Sequence, residues 1–281
     1  MLLSSTGGLL FVFNRNLSFL LFSLFIICGF FLLRKGLKSK NFYSSLLAFC
    51  TVIALFIINF FIAEVQPQSL TKYSFFGVIF FTTTLSLIYF NNQENKNALI
   101  DSLYFILKLI LLHSIISFIL YPVVENNLDV IKAYMGNGEE KHTTKTFKYL
   151  LYYIDISEKP EAQVTLFGIS LVRNSSIFWE PGILQFYLNL LFFLEISFFK
   201  RKNYIMILTV LAILSTYSTT GLLLLMVQIV YFLNRQFDKK FSGILIFIIA
   251  VPIYIMLSSN INTKIYGEGE SSFQKRLLDF T

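Results

Sequence analysis

The chain has 281 residues, of which 56% are hydrophobic and only 14% charged, with 33 Phe and one Trp and a mean hydropathy of +0.68; a soluble domain carries about a quarter charged residues. Successive apolar runs separated by short charged loops leave no stretch for a soluble core, which excludes a nucleotide-binding fold, a soluble hydrolase and a disulfide-stapled secreted module. The net charge of +7 sits in short basic loops between apolar runs, the pattern of membrane topology rather than of a nucleic-acid partner.

In chain order, the runs comparable with the roughly 20 residues that cross a hydrocarbon core are 17–33, 42–63, 75–90, 98–121, 177–199, 204–218, 220–233 and 241–257. No alternating barrel pattern is visible and backbone groups in lipid need internal partners, so these segments are expected to be helices. The fold class is all-α: one polytopic transmembrane bundle over 1–281 with about eight spans and one sizeable loop at 122–176. Cys28 and Cys50 both lie in apolar runs, so neither a disulfide framework nor a thiolate metal site is encoded.

Charge asymmetry sets the expected orientation. Arg34, Lys35, Lys38 and Lys40, then Lys96, then Lys200, Arg201 and Lys202, then Arg235, Lys239 and Lys240 fall in short, dense loops on one side, which is therefore cytoplasmic. The segment 204–233 is basic at both flanks, so it reads as a hairpin or re-entrant pair turning within Ser215-Thr216-Tyr217-Ser218-Thr219-Thr220-Gly221, whose small residues suit a tight turn near the outer surface. Residues 1–16 then lie outside; their short apolar stretch reads as the tail of a helix that begins before this chain, not as a signal peptide.

The outward segment 122–176 mixes Lys and Glu and contains Gly136-Asn137-Gly138 and the aromatics Tyr149, Tyr152 and Tyr153. It is either a lid or substrate platform, or a solvated loop with one amphipathic helix around 145–154. No matched pair of interrupted helices marks an inverted repeat.

Ionisable residues in or at the mouth of spans are costly and so informative. Asp101 reads as a helix-start charge, Lys108 calls for a partner such as Glu195 or a carbonyl, and His113 reads as a neutral imidazole bonding a neighbouring helix. The richest stretch is Arg173-Asn-Ser-Ser-Ile-Phe-Trp-Glu180-Pro181-Gly182. Pro181 suits the first position of a helix, where its missing N–H is no loss. The helix then starts at the outer surface with free amides beside an arginine, a favourable place for a phosphate, and Glu180 is the natural proton acceptor. The alternative is an Arg173–Glu180 ion pair that fixes the loop, with Trp179 as an interfacial anchor. His142 is a second candidate acceptor or a solvated loop histidine. No zinc-type His/Glu spacing, Ser-His-Asp set or phosphate-cradling glycine loop is present, so no metal, cofactor or nucleotide sugar is expected.

The segment RNSSIFWEPGILQFYLNL, followed some 30 residues on by LSTYSTTGLLLL, resembles the paired hallmark of bacterial O-antigen and capsule polysaccharide polymerases (Wzy-type) and the related O-antigen ligases; GGLLFVFNRN near the start is similar to the end of a first helix there. The resemblance covers most of the chain in topology and about 25 residues in motif. Ser218-Thr219-Thr220-Gly221 lacks the arginine that many members place after the serine, and members continue with further helices beyond Arg276.

The resemblance implies a multi-pass protein of the bacterial inner membrane, active on its outer face. It would be a metal-independent glycosyltransferase taking undecaprenyl-pyrophosphate-linked oligosaccharides as donor and acceptor, alongside flippase and chain-length regulator partners. Arg173, Glu180 and Arg276 are the implied catalytic residues, Arg276 being otherwise a solvated charge. Trp179, Ser218, Thr219, Thr220 and His142 are the implied substrate contacts, with Tyr152 and Tyr153 as further candidates for stacking on sugars. An O-antigen ligase and a non-enzymatic lipid-linked glycan flippase are the competing readings.

Overall fold

In the computed structural model, the residues described are 20, 23–24, 26–27, 29–30, 42–62, 70–91, 95, 97–124, 127, 129–134, 140–147, 152–154, 163–166, 169–178, 180–199 and 203–266. They form helices α1 (Phe42–Ile62), α2 (Leu70–Asn91) and α3 (Ala98–Val124), strands β1 (Asp129–Tyr134), β2 (Glu140–Phe147), β3 (Tyr152–Ile154), β4 (Gln163–Leu166) and β5 (Ile169–Val172), then α4 (Pro181–Leu194), a π-helical turn (Glu195–Phe199), α5 (Asn203–Thr216), α6 (Thr219–Gln236) and α7 (Lys239–Tyr266). Each helix falls on one of the apolar runs read from the sequence. The first run is described only in part, as helical residues between 20 and 30.

Among the described residues three helices are long and apolar enough to cross a membrane, Ala98–Tyr121, Pro181–Phe199 and Phe241–Ser259, and shorter apolar helical stretches occupy Leu46–Ile62, Gly77–Phe90 and Asn203–Thr216. Large apolar side chains on the outer faces, among them Val227 at 66% and Phe247 at 71% exposure, have no water-soluble explanation and mark lipid-facing surface. The chain is a helical membrane protein.

The helical class does not extend through the polar segment. Where one of the two readings placed an amphipathic helix around 145–154, β2 pairs antiparallel with β1 and with β3, Phe147 opposite Tyr152 and Lys145 opposite Ile154, and β4 pairs with β5. The run Lys-His-Thr-Thr-Lys-Thr-Phe is rich in β-branched threonine, which favours a strand over a helix.

The chain divides into two compact units, Met1–Leu103 and Tyr104–Thr281. In the first, α1 and α2 pack antiparallel through interleaved rings: Phe49 on Phe81 at 5.4 Å, Phe56 on Phe80 at 5.2 Å and Phe60 on Tyr73 at 5.2 Å. The hydroxyls of α2 are satisfied locally, Thr83 and Ser86 each donating to the carbonyl four residues back at 2.8 Å, as helices in an apolar medium require.

In the second unit α4 packs on α5 and α6, and α6 on α7. The window of α4 and its π-turn is half buried, the most enclosed of the three long helices. Leu184, Leu188 and Leu191, one per turn, are fully covered. At Gly221 of α6 a Cβ would stand 2.9 Å from the Gln185 Cβ and 2.4 Å from its Oε1. The α4–α6 approach is therefore one that only glycine permits, the small-residue contact by which membrane helices close on each other. Pro252 lies inside α7, a helix breaker that membrane helices tolerate because neighbours satisfy the freed groups.

Candidate functional site

Pro181 takes the first helical position of α4, as its residue type dictates. Glu180 is the N-cap, with extended backbone (φ −134°, ψ 140°), and its side chain makes no capping hydrogen bond. Its carbonyl accepts from Ile183 N at 3.1 Å. Trp179 and Arg276 lie outside the described residues. His142 stands opposite Ala133 in the β1–β2 ladder.

The segment ahead of Glu180 is held by three helices' worth of contacts. Asn174 is 3% exposed and uses its whole side chain: Nδ2 donates to Ser114 O at 3.1 Å, Ser114 Oγ at 2.9 Å and Ser215 Oγ at 3.0 Å, while Oδ1 accepts from Ser176 N at 3.1 Å. Its backbone N–H donates to Ser215 O at 3.0 Å. Ser176 has φ 52°, a left-handed conformation that a non-glycine residue adopts only when its surroundings hold it there. Its Oγ lies 2.7 Å from His113 Nδ1, and Ser117 Oγ lies 3.2 Å from the same nitrogen. His113 thus bonds the loop before α4, where its sequence position suggested a neighbouring helix. Phe178 closes the segment, fully buried and stacked on Tyr187 of α4 with ring centroids 4.9 Å apart.

Arg173 begins this segment, and its Nε donates to the Thr216 carbonyl at 3.2 Å. That carbonyl belongs to the last turn of α5, the negative end of the helix, where a guanidinium is favoured. The hairpin expected between Tyr204 and Leu233 is present, and its turn is as short as two residues: Tyr217, with φ 48°, and Ser218, the N-cap of α6, 7% exposed. Thr219 and Thr220 already belong to the first turn of α6. Arg173 and the Ser-Thr-Thr turn, 43 or more residues apart in sequence, are therefore neighbours.

Beside them is a cavity of about 420 Å³ lined by Phe118 of α3, Leu208 and Leu211 of α5 and Met256 of α7, with Arg173 and Ser215 on its wall. Its surface is almost wholly apolar, and Arg173, Ser215 and Tyr217 are the lining residues that carry polar groups. Such a space suits a molecule that is hydrocarbon over most of its length and anionic at one end.

A second polar cluster joins α3 to the π-turn. Tyr104 OH donates to Oε1 of the fully buried Glu195, and Oε2 has no hydrogen-bond partner. Tyr104 also stacks on Phe199 at 4.1 Å, and Lys108 Nζ lies 4.5 Å over the Tyr104 ring. The partner expected for Lys108 was Glu195 or a carbonyl; the tyrosine ring stands there instead, a cation–π contact that stabilises an ammonium without a buried ion pair. Asp101 lies in the first turn of α3, as expected, and accepts from Asn95 Nδ2 at 3.2 Å.

Sequence reading overlooked Asn174, Ser114, Ser176 and the Gln185–Gly221 contact. The available signals were the Asn-Ser-Ser run next to an arginine and the one-turn spacing of His113 and Ser117. Among the described residues no group of three or more His, Cys, Asp or Glu is gathered as for a metal ion. Compared with models of protein families, with curated proteins and with solved structures, the chain has no match in any of the three.

Proposed function

We propose that this protein polymerises lipid-linked oligosaccharide repeat units at the outer face of a bacterial inner membrane, with about eight spans and an extracytoplasmic segment at 122–176. The observation that carries this reading is the pairing of an apolar cavity with Arg173 on its wall. An isoprenoid pyrophosphate bearing a glycan has the matching chemistry: a hydrocarbon tail, a dianionic junction and a polar head. The motif that resembles the Wzy-type polymerases contributes the same arginine and the same turn.

In the reaction an acceptor hydroxyl attacks the anomeric carbon of the donor glycan. The new glycosidic C–O bond forms as the bond from that carbon to the pyrophosphate oxygen breaks, and undecaprenyl pyrophosphate leaves with the bonding pair. Negative charge grows on the leaving pyrophosphate, and Arg173 together with the positive end of the α4 dipole stabilises it there. Arg276 serves as a second cation at the leaving group. Glu180, at the N-cap of α4, takes the hydroxyl proton. Ser218, Thr219 and Thr220 present hydroxyls and first-turn amides to the substrate, and Trp179 and His142 are assigned to glycan binding. No metal or cofactor enters the scheme; the partners are the lipid-linked glycans, the bilayer, a flippase that delivers substrate and a chain-length regulator.

The test is reconstitution of the full chain in phospholipid vesicles with a synthetic undecaprenyl-pyrophosphate-linked oligosaccharide. A ladder of lengthened glycans with release of undecaprenyl pyrophosphate is expected. Transfer only to an added lipid A core would identify a ligase, and folded protein that moves the substrate across the bilayer without lengthening it would identify a flippase.

A further inference from the structure

We infer that His113 is a positioning residue, which sets Arg173 through a hydrogen bond from its Nδ1 edge to Ser176; the inference rests on the polymerase reading for its kinetic consequence, though not for its geometry. A histidine in the body of an apolar helix is expensive unless its nitrogens are used, and here Nδ1 meets two hydroxyls, Ser176 Oγ at 2.7 Å and Ser117 Oγ at 3.2 Å. Ser117 is one turn along the same helix and its oxygen is fully enclosed with it. It therefore orients the ring, while Ser176 is what the ring holds.

Ser176 needs holding. Its φ of 52° places a Cβ-bearing residue in a sterically strained region. An extended or right-handed conformation there would redirect the chain on both sides, towards Arg173 and towards Glu180. The left-handed turn is maintained by two bonds from the inner side: the Ser176 N–H to Asn174 Oδ1 at 3.1 Å and the Ser176 hydroxyl to His113. Asn174 in turn is fastened to Ser114 and Ser215. Three residues of one face of α3, at 113, 114 and 117, thus clamp the stretch that begins at Arg173. The arginine's own bond to Thr216 O is made only when that stretch has this shape.

Substitutions at His113 separate the clamp from mere packing, because an asparagine amide occupies the place of the imidazole Nδ1 edge, whereas a glutamine amide reaches the place of Nε2. Two measurements are needed. The first is independent of activity: hydrogen exchange of the backbone amides between 173 and 178 in the vesicle-reconstituted chain. His113→Gln and His113→Phe are expected to raise exchange there about tenfold, the loss of one hydrogen bond, and His113→Asn to leave it within about twofold. In a Ser176→Gly background, which removes the hydroxyl and relaxes the backbone strain, His113→Gln is expected to change nothing further.

The second is kinetic. His113→Gln is expected to lower kcat about tenfold with KM for the lipid-linked donor within about twofold, His113→Asn to restore it, and His113→Gln to add no further loss on top of Arg173→Lys. Equal exchange in the Gln and Asn variants, or an undiminished effect of His113→Gln in the Ser176→Gly background, would overturn the clamp. Kinetic losses that multiply with Arg173→Lys would show that His113 does not act through the arginine. A wild-type chain without polymerase activity would remove the proposed function, and the exchange measurements would still decide whether His113 holds the loop.

Discussion

Arg173 Nε donates to the main-chain carbonyl of Thr216 at 3.2 Å, so the arginine ahead of α4 is fastened to the end of α5 and to the turn that follows it. A guanidinium does this with one edge while its planar fork keeps other donors in a fixed relation to that edge; an ammonium is a single point of charge on a flexible stem.

Arg173→Lys is therefore expected to reduce the products of the lengthening reaction to single repeats, read as the loss of the glycan ladder on a gel at normal protein level. Near-normal chain lengths would take Arg173 out of the mechanism. Glu180→Gln keeps size and hydrogen bonding but removes basicity, so a base role predicts a loss of at least ~10²-fold in rate. A folded Glu180→Gln protein that keeps most of its rate would leave proton removal to His142, to a hydroxyl of the turn, or to solvent.

Gly221→Ala should destabilise the protein even though alanine is the better helix former by about 1 kcal/mol. The added Cβ meets the Gln185 Cβ at 2.9 Å and Cδ at 2.8 Å. The first of these cannot swing away as a side-chain tip can, so α4 and α6 must separate, at roughly 1–3 kcal/mol. Thermal unfolding in detergent measures the loss. Adding Gln185→Ala removes two of the three collisions and is expected to recover part of it; no recovery would place the strain elsewhere.

Tyr104→Phe removes the donor to Glu195 Oε1, on a carboxyl whose other oxygen already has no hydrogen-bond partner and whose side chain is fully buried. The cost expected for leaving a buried acceptor bare is about 1–3 kcal/mol. Glu195→Gln keeps an oxygen for the tyrosine and removes the carboxyl, so it should be milder than Tyr104→Phe in the same unfolding assay. If Glu195→Gln proves the more damaging of the two, the carboxyl itself, and not the hydrogen bond, holds the π-turn.

The orientation rests on loop charge and is tested directly. Single cysteines placed at Ser39 and Asn203 are expected to be shielded from an impermeant thiol reagent in intact cells, and one at Gly138 to react. Labelling at Ser39 would reverse the topology and move the proposed site to the cytoplasmic face.

Much of the helical architecture is legible along the chain because a helix in lipid satisfies its own backbone: an apolar run of sufficient length needs no partner to be helical. The α5–α6 hairpin was visible for a related reason, since basic residues at both flanks of 204–233 and the small residues at 215–221 describe a turn without reference to anything else. Pro181 at the start of α4 likewise follows from the imide ring alone.

What the tertiary structure alone decided is which polar groups meet across distant segments. The strands at 140–154 were by contrast open to a local reading, since β2 pairs with its chain neighbours β1 and β3 and its threonines favour a strand. Lys108 found a tyrosine ring rather than a carboxylate, and His113 a serine of the loop before α4, because a polar side chain settles on whichever partner the packing brings within reach. The glycine at 221 reads in sequence as part of a turn, yet its consequence is the contact with Gln185, 36 residues earlier in number but touching in space. Residue chemistry names which groups must be satisfied; the fold chooses by what, and that choice brings Arg173, the α5–α6 turn and the apolar cavity to one place.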